Sequence, residues 1–244
     1  MSSFGEAWAA VADIEGWMTE GQGRALFEAA SGCPPRGRIV EIGSFRGRST
    51  IVLALSAPHD ASIFAIDPHA GTDRGPREIE GYEREATTDH AAFWSNIERA
   101  GLASRVTHLP MFSHRALDEF EGTVDVLYID GAHRYRPARA DIRDWGARVA
   151  DGGAMLIHDS FSSIGVTRAI LRELVLGRRF RYVGRSRSLA IYRADLGGRR
   201  LLNASKQLLQ LAWFARNVVV KALLTLGLGG LVRRLGRRAP EWPY

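Results

Sequence analysis

The chain has 244 residues, 45% hydrophobic and 25% charged, which suits a folded protein with a sizeable core and excludes a fibrous or disordered one. A single cysteine, Cys33, excludes a framework of internal disulfides and fits a reducing compartment. The net charge of +6 is uneven: residues 196–244 carry nine basic side chains against one acid, Glu241, whereas residues 1–195 carry 24 against 26. That pattern argues against a nucleic-acid groove across the main fold and gives the tail an anionic partner.

The opening Met-Ser-Ser-Phe-Gly-Glu lacks the basic and apolar regions of a secretory signal, so the expected location is cytoplasmic. Residues 5–31 read as helical, and Pro34-Pro35 divides them from the first strand,. Five short β-branched runs lie at 38–42, 62–66, 105–109, 124–129 and 153–157. Amphipathic stretches near 48–57, 88–101, 114–120, 136–149 and 165–177 lie between or after them. This alternation predicts a parallel α/β sheet with helices on both faces. Two further runs, 180–183 and 189–193, are separated only by residues 184–188. That gap is too short for a helical crossover and predicts an antiparallel edge hairpin, for seven strands in all. The expected domains are a helical segment 1–36, a sheet domain 37–195 and a tail 196–244. Residues 71–87 form a long charged connection without a clear period, suited to a lid or to a plain surface excursion.

Residues 40–50 read Val-Glu-Ile-Gly-Ser-Phe-Arg-Gly-Arg-Ser-Thr. Gly43 directly follows the first strand and permits a sharp turn, and Gly47 opens the next helix where a ligand must come close. Ser49 or Thr50 is placed to cap that helix. The spacing is neither Gly-x-Gly-x-x-Gly nor a Walker loop, which disfavours dinucleotides and nucleoside triphosphates. Glu41 sharpens this, because an acid there would weaken a phosphate site and favour a ligand bearing an ammonium group. Asp67 closes the second strand 24 residues past Gly43, where a carboxylate can accept from two ribose hydroxyls.

With these residues in place the sequence resembles the class I S-adenosylmethionine-dependent methyltransferases. More narrowly it resembles the branch holding the macrocin-type sugar O-methyltransferases, distantly akin to catechol O-methyltransferases. The resemblance spans roughly residues 4–195. It rests on Glu15-Gly-Trp-Met-Thr19, the 40–50 turn, the Asp67 strand, and Tyr128-Ile-Asp-Gly-Ala-His-Arg-Tyr135 with Gly152-Gly-Ala-Met-Leu-Ile-His-Asp-Ser160. It implies a Rossmann-like seven-stranded sheet whose Glu41, Gly43, Ser44, Gly47, Ser49, Asp67 and Asp130 serve the cofactor. Ser113 would lie near the adenine, and Gly16-Trp17-Met18 would close over the cofactor. The acceptor it implies is a small hydroxyl compound, a sugar, and the tail alone adds the expectation of a glycolipid precursor.

Asp130 ends the fourth strand and Asp159 the fifth, on the same rim as Gly43 and Asp67. Two converging carboxylates suit Mg²⁺, with Ser160 as a further oxygen ligand. The branch often places a third acid or an amide beside the second carboxylate, whereas here His158 and Ser160 stand there. His133 is the expected general base, and in the sugar-methylating relatives a histidine at this place is associated with that role. His158 and His114 are rivals for it, and Tyr135 and Arg134 are weaker candidates for holding a sugar or an acid. A phenolic acceptor, a non-catalytic S-adenosylmethionine-binding protein and, least of all, a nicotinamide oxidoreductase remain as competing readings.

In the tail, Asn203, Lys206, Gln207, Gln210, Asn217 and Lys221 fall on one helical stripe. The opposite face is broad and apolar, Arg216 falls off the stripe, and Arg233, Arg234, Arg237 and Arg238 come after it. This pattern predicts an amphipathic helix, with 201–238 lying on an anionic membrane surface or packing on a second copy of the chain.

Overall fold

The computed structural model describes residues 2–69 and 83–226. Ser3 and Glu6 form a reciprocal capping box that starts α1 (Phe4–Ala9), and Thr19 and Gln22 do the same for α2 (Glu20–Ser31),. The continuous helix expected over 5–31 is therefore two helices joined by an irregular segment. The chain continues through β1 (Arg38–Ile42), α3 (Arg48–Ser56), β2 (Ser62–Ile66), α4 (Glu83–Arg99), β3 (Val106–Leu109) and α5 (Ser113–Glu119). Next come β4 (Val124–Ile129), α6 (Tyr135–Ala140), a π-helical turn at Asp141–Trp145 and α7 (Gly146–Arg148). β5 (Val149–Ile157), α8 (Ile164–Glu173), β6 (Arg181–Ser186), β7 (Leu189–Arg193), α9 (Arg200–Leu208) and α10 (Gln210–Thr225) complete it. Of the expected lid, residues 71–82 lie outside the described residues and residues 83–87 begin α4. Arg233, Arg234, Arg237 and Arg238 also lie outside them.

The seven strands form one sheet in the order β3-β2-β1-β4-β5-β7-β6, parallel as far as β5. β7 is antiparallel to both β5 and β6. The edge hairpin is tighter than expected, because residues 184–186 extend β6 and leave a turn at Arg187-Ser188, with Arg187 at φ 51°. Alternate residues supply two cores, as the two-residue period of a strand requires. Ile39, Ile63, Tyr128 and Leu156 face one layer with α2 and α3, while Val40, Leu127, Met155 and Tyr192 face the other with α6 and α8. Strand order reverses between β1 and β4, each starting a run in the opposite direction across the sheet. In open parallel sheets that switch point is where the carboxyl ends of the strands leave a crevice for a ligand.

Candidate active site

The first turn at the crevice is fixed by glycine. Gly43 sits at φ 89°, and a Cβ there would stand 2.3 Å from the Asp130 carbonyl oxygen. Its N–H donates to Ile66 O at 2.8 Å, while Asp130 N donates to Ile42 O at 2.8 Å. β2, β1 and β4 thus stay paired up to their last residues. Gly47 caps α3 from the left-handed region at φ 84°,. Between the two glycines, Ser44 is buried and its hydroxyl has no hydrogen-bond partner among the described residues. A buried hydroxyl in that state is suited to a ligand.

Glu41 has no exposed surface, and both its carboxyl oxygens accept short hydrogen bonds, from the Ser49 and Thr50 hydroxyls. Those hydroxyls therefore do not cap α3 as expected. A carboxyl enclosed behind the loop needs donors, and they are the two within reach. Burial pushes its pKa up to about 8, against the pull of the two hydroxyls. Asp67 uses main-chain donors: Phe45 N and His69 N each donate to one of its oxygens at 2.8 Å. This ties the glycine turn to the end of β2.

The segment before α2 lies on the same turn. Arg48 donates to Gly16 O at 3.0 Å, Arg46 pairs with Glu15 at 2.5 Å, and the Trp17 ring lies 5.4 Å from that of Phe45. Ser113 opens α5 and donates to Asp141 at 2.5 Å, and Trp145 Nε1 donates to the Ser113 carbonyl. Burial raises the Asp141 pKa to about 6.

Across the switch point the work passes to side chains. Asp130 accepts from the Tyr128 hydroxyl at 2.8 Å and lies 2.9 Å from His158 Nδ1. His133 Nε2 lies 2.9 Å from Asp159 Oδ2. Burial opposes the charge on Asp159, yet the His133 hydrogen bond and the nearby His158, His133 and Lys221 charges hold its pKa well below the usual carboxylate range. For His133, burial lowers the pKa but the Asp159 hydrogen bond and charge outweigh it, so the net shift is upward. The His133 backbone is pinned as well. Ser163 Oγ donates to its carbonyl at 3.2 Å, and a Cβ on Gly165 would stand 2.1 Å from that oxygen.

His158 is buried, and Asp130 and Asp159 raise its pKa to about 9 against the effect of burial. Its Nε2 faces the Gln22 amide nitrogen at 3.2 Å, an amide that also donates to Ser188 Oγ at 3.1 Å. His158 is thus a linchpin inside the rim, whereas the His133 side chain is 51% exposed. His114 stacks on Phe112 at the start of α5, and the Arg168 guanidinium lies 4.9 Å over the Tyr135 ring. Arg134 is the N-cap residue of α6.

The expected magnesium ligands do not assemble as a set. Asp130 and Asp159 are each matched to an imidazole, and Ser160 is buried with its hydroxyl turned back onto the Ile157 carbonyl at 2.8 Å. Mg²⁺ favours oxygen ligands over such a nitrogen-rich surround. Among the described residues no group of three or more His, Cys, Asp or Glu is arranged to hold a metal ion.

Sequence reasoning did not assign roles to Gln22, Tyr128 or Lys221. The Thr-x-x-Gln spacing could have placed Gln22 at a helix start, but its reach to His158, 136 residues away, is visible only in the fold.

A Rossmann-like seven-stranded sheet with a glycine turn at the switch point, an acid closing β2 and acids closing β4 and β5 has the architecture of the class I methyltransferase fold. Residues 40–160, just under half of the chain, match the family described as a methyltransferase domain, a likeness that supports an S-adenosylmethionine-dependent methyltransferase. Three solved structures share its fold. The O-methyltransferase NovP is 17% identical with a TM-score of 0.55, over 72% of this chain and 80% of NovP. An O-methyltransferase from Bacillus cereus in complex with S-adenosylhomocysteine is 17% identical with a TM-score of 0.53, over 80% of this chain and 90% of that one. TomG from Streptomyces achromogenes, involved in tomaymycin synthesis and solved with S-adenosylmethionine, is 16% identical with a TM-score of 0.53, over 79% of this chain and 89% of that one.

Proposed function

We propose that the protein is an O-methyltransferase in which His133, held by Asp159, takes the proton from an acceptor hydroxyl. The observation that carries this reading is the 2.9 Å contact between His133 Nε2 and Asp159 at the rim that also bears the cofactor turn. With Nε2–H donating to the carboxylate, Nδ1 keeps the lone pair that receives the proton. The acceptor oxygen forms its bond to the methyl carbon as the carbon–sulfur bond breaks, and the sulfonium becomes the neutral thioether of S-adenosylhomocysteine. The proton leaves through the exposed face of His133. Asp159 stays ionised and orients the ring.

Gly43, Ser44, Gly47 and Asp67 would contact the cofactor, with Glu41 and Ser49 acting from behind the turn and Ser113 near the adenine. Asp130 would face the methionine end beside Tyr128. The chemistry is not routed through a magnesium ion, since both expected acidic ligands are paired with histidines. A hydroxyl acceptor is supported by the O-methyltransferase neighbours; its sugar character is supported by the branch resemblance and its glycolipid character by the tail alone. The same reading gives the tail an anionic bilayer as partner, with a second copy of the chain as the rival.

Calorimetry with S-adenosylhomocysteine should show binding, and a panel of sugar, glycolipid and phenolic acceptors with methyl-labelled cofactor should show transfer to a sugar-bearing member. Absence of S-adenosylhomocysteine binding would sink the reading. Transfer only to phenols would replace the acceptor class and leave the mechanism standing.

A further inference from the structure

The tail is not an appendage. The expected amphipathic stripe is present, but it faces the other way from that of a helix on a soluble protein. Most of its polar members point inward, while Lys206 stays exposed. Asn203 accepts from Tyr182 N at 2.7 Å and donates to the Phe180 carbonyl, and Gln207 lies against Tyr192 and the Leu174 carbonyl. Asn217 donates to Phe161 O at 3.1 Å and Lys221 donates to Ser162 O at 3.0 Å. Gln207 and Asn217 are 0% and 2% exposed. The apolar members point outward: Leu201 is 82% exposed, Leu209 73% and Leu226 71%, with Leu208 and Val219 also exposed. Leu201 and Leu208 on α9 are seven residues apart, as are Val219 on α10 and Leu226 just after it, a spacing that puts each pair on one face of its helix.

The inward contacts of α10, from Asn217 and Lys221, fall on the loop that carries Asp159. Asp159 and Phe161 lie in the left-handed region at φ 53° and 55°, which a non-glycine residue holds only when its surroundings impose it. α10 supplies part of that constraint by gripping the Phe161 and Ser162 carbonyls, and Lys221 adds a charge that helps keep Asp159 ionised. One helix, about 10 Å across, therefore separates the outward apolar face from the catalytic loop.

We propose that this face seats on an anionic bilayer, and that the seated α10 steadies the Asp159 loop so that the enzyme works on a lipid-linked hydroxyl at the membrane surface. Charge selects this occupant. Residues 196–244 carry nine basic side chains against one acid, and Arg199, Arg200 and Lys206 are exposed alongside the apolar residues, a balance that anionic headgroups would neutralise and a second copy of the same chain would not. No helix among the described residues is long and apolar enough to cross a membrane, and surface seating needs none. The inference rests on the methyltransferase reading above.

The test uses the full chain with vesicles of phosphatidylcholine containing one-third phosphatidylglycerol, and with pure phosphatidylcholine. The protein should float with the anionic vesicles and not with the neutral ones. Leu209→Glu with Val219→Glu should weaken that binding at least tenfold while S-adenosylhomocysteine affinity stays within twofold, which shows that the variant is folded. Hydrogen exchange at residues 159–163 should slow severalfold on the anionic vesicles. Vesicle binding without that protection would overturn the coupling. A chain that ignores the vesicles, and sediments as a dimer that the double variant dissociates, would overturn the membrane face in favour of a second copy. Loss of S-adenosylhomocysteine binding in the unaltered chain would instead fault the methyltransferase reading.

Discussion

At the β1–β2 end of the rim the chain builds largely with main-chain atoms. Two glycines at positive φ shape the turn, and Asp67 is held by the N–H groups of Phe45 and His69. At the β4–β5 end it builds with side chains: Tyr128, Asp130 and His158 form one linked group and His133 with Asp159 another, propped by Gln22 and Lys221. The difference reflects what each half would handle. A constant cofactor is served by a rigid backbone cradle, whereas moving a proton needs ionisable groups whose pKa values are set by neighbours. The two halves should therefore fail differently when damaged.

The largest effect should come from Gly43→Ala. Its Cβ would collide with the Asp130 carbonyl at 2.3 Å, and the residue would be held at φ 89°. The expected loss is more than about 3 kcal/mol of stability together with S-adenosylhomocysteine binding, read by urea unfolding and calorimetry. Near-normal binding in this variant would mean that the cradle is not rigid.

Asp159→Asn should act on turnover alone, lowering kcat by about 10²-fold or more with S-adenosylhomocysteine affinity nearly unchanged. The pH profile gives the sharper result. A base must be unprotonated to work, and Asp159 raises the His133 pKa. In the unaltered enzyme kcat/KM should therefore rise with pH along a limb lying above the ordinary histidine range. In the residual activity of Asp159→Asn that limb should move to lower pH. A limb that stays in place would remove His133 from the role of base.

The smallest effect belongs to Glu41, the side-chain element inside the backbone half. Its folded pKa, raised to about 8 from an ordinary 4.5, means that the folded state holds a proton the unfolded chain gives up. The sign is fixed by linkage: stability is fully present below about pH 4.5 and declines as pH rises toward 8. Glu41→Gln should flatten that decline, by on the order of 2 kcal/mol between pH 5 and pH 8, in thermal melts at the two pH values. Parallel curves for the two proteins would mean that Glu41 ionises freely inside the fold.

Much of this was legible before the fold. β1, β2, β4 and β7 begin and end at the residues that the β-branched runs mark, and residues 40–50 announce the cradle because strand, glycine turn and helix are neighbours in the chain. The side-chain half was legible as a roster and not as a circuit. Asp130, His133, His158 and Asp159 stand out by their places at strand ends, yet which acid meets which imidazole depends on distances between separate loops. The expected magnesium set finds no support for the same reason, since each carboxylate lies against a histidine.

The sequence by itself determined the sheet, the glycine cradle and the polar–apolar division of the tail, because each depends on periodicity or on neighbours within a few residues. Only the tertiary structure decided that Glu41 sits behind the turn, that His133 and not His158 faces outward, and that the tail's polar stripe is its inner face. Periodicity gives a helix two faces without saying which is inside. That choice falls to the open carbonyls of Phe161, Ser162 and Phe180, which need donors and find them in Asn217, Lys221 and Asn203,.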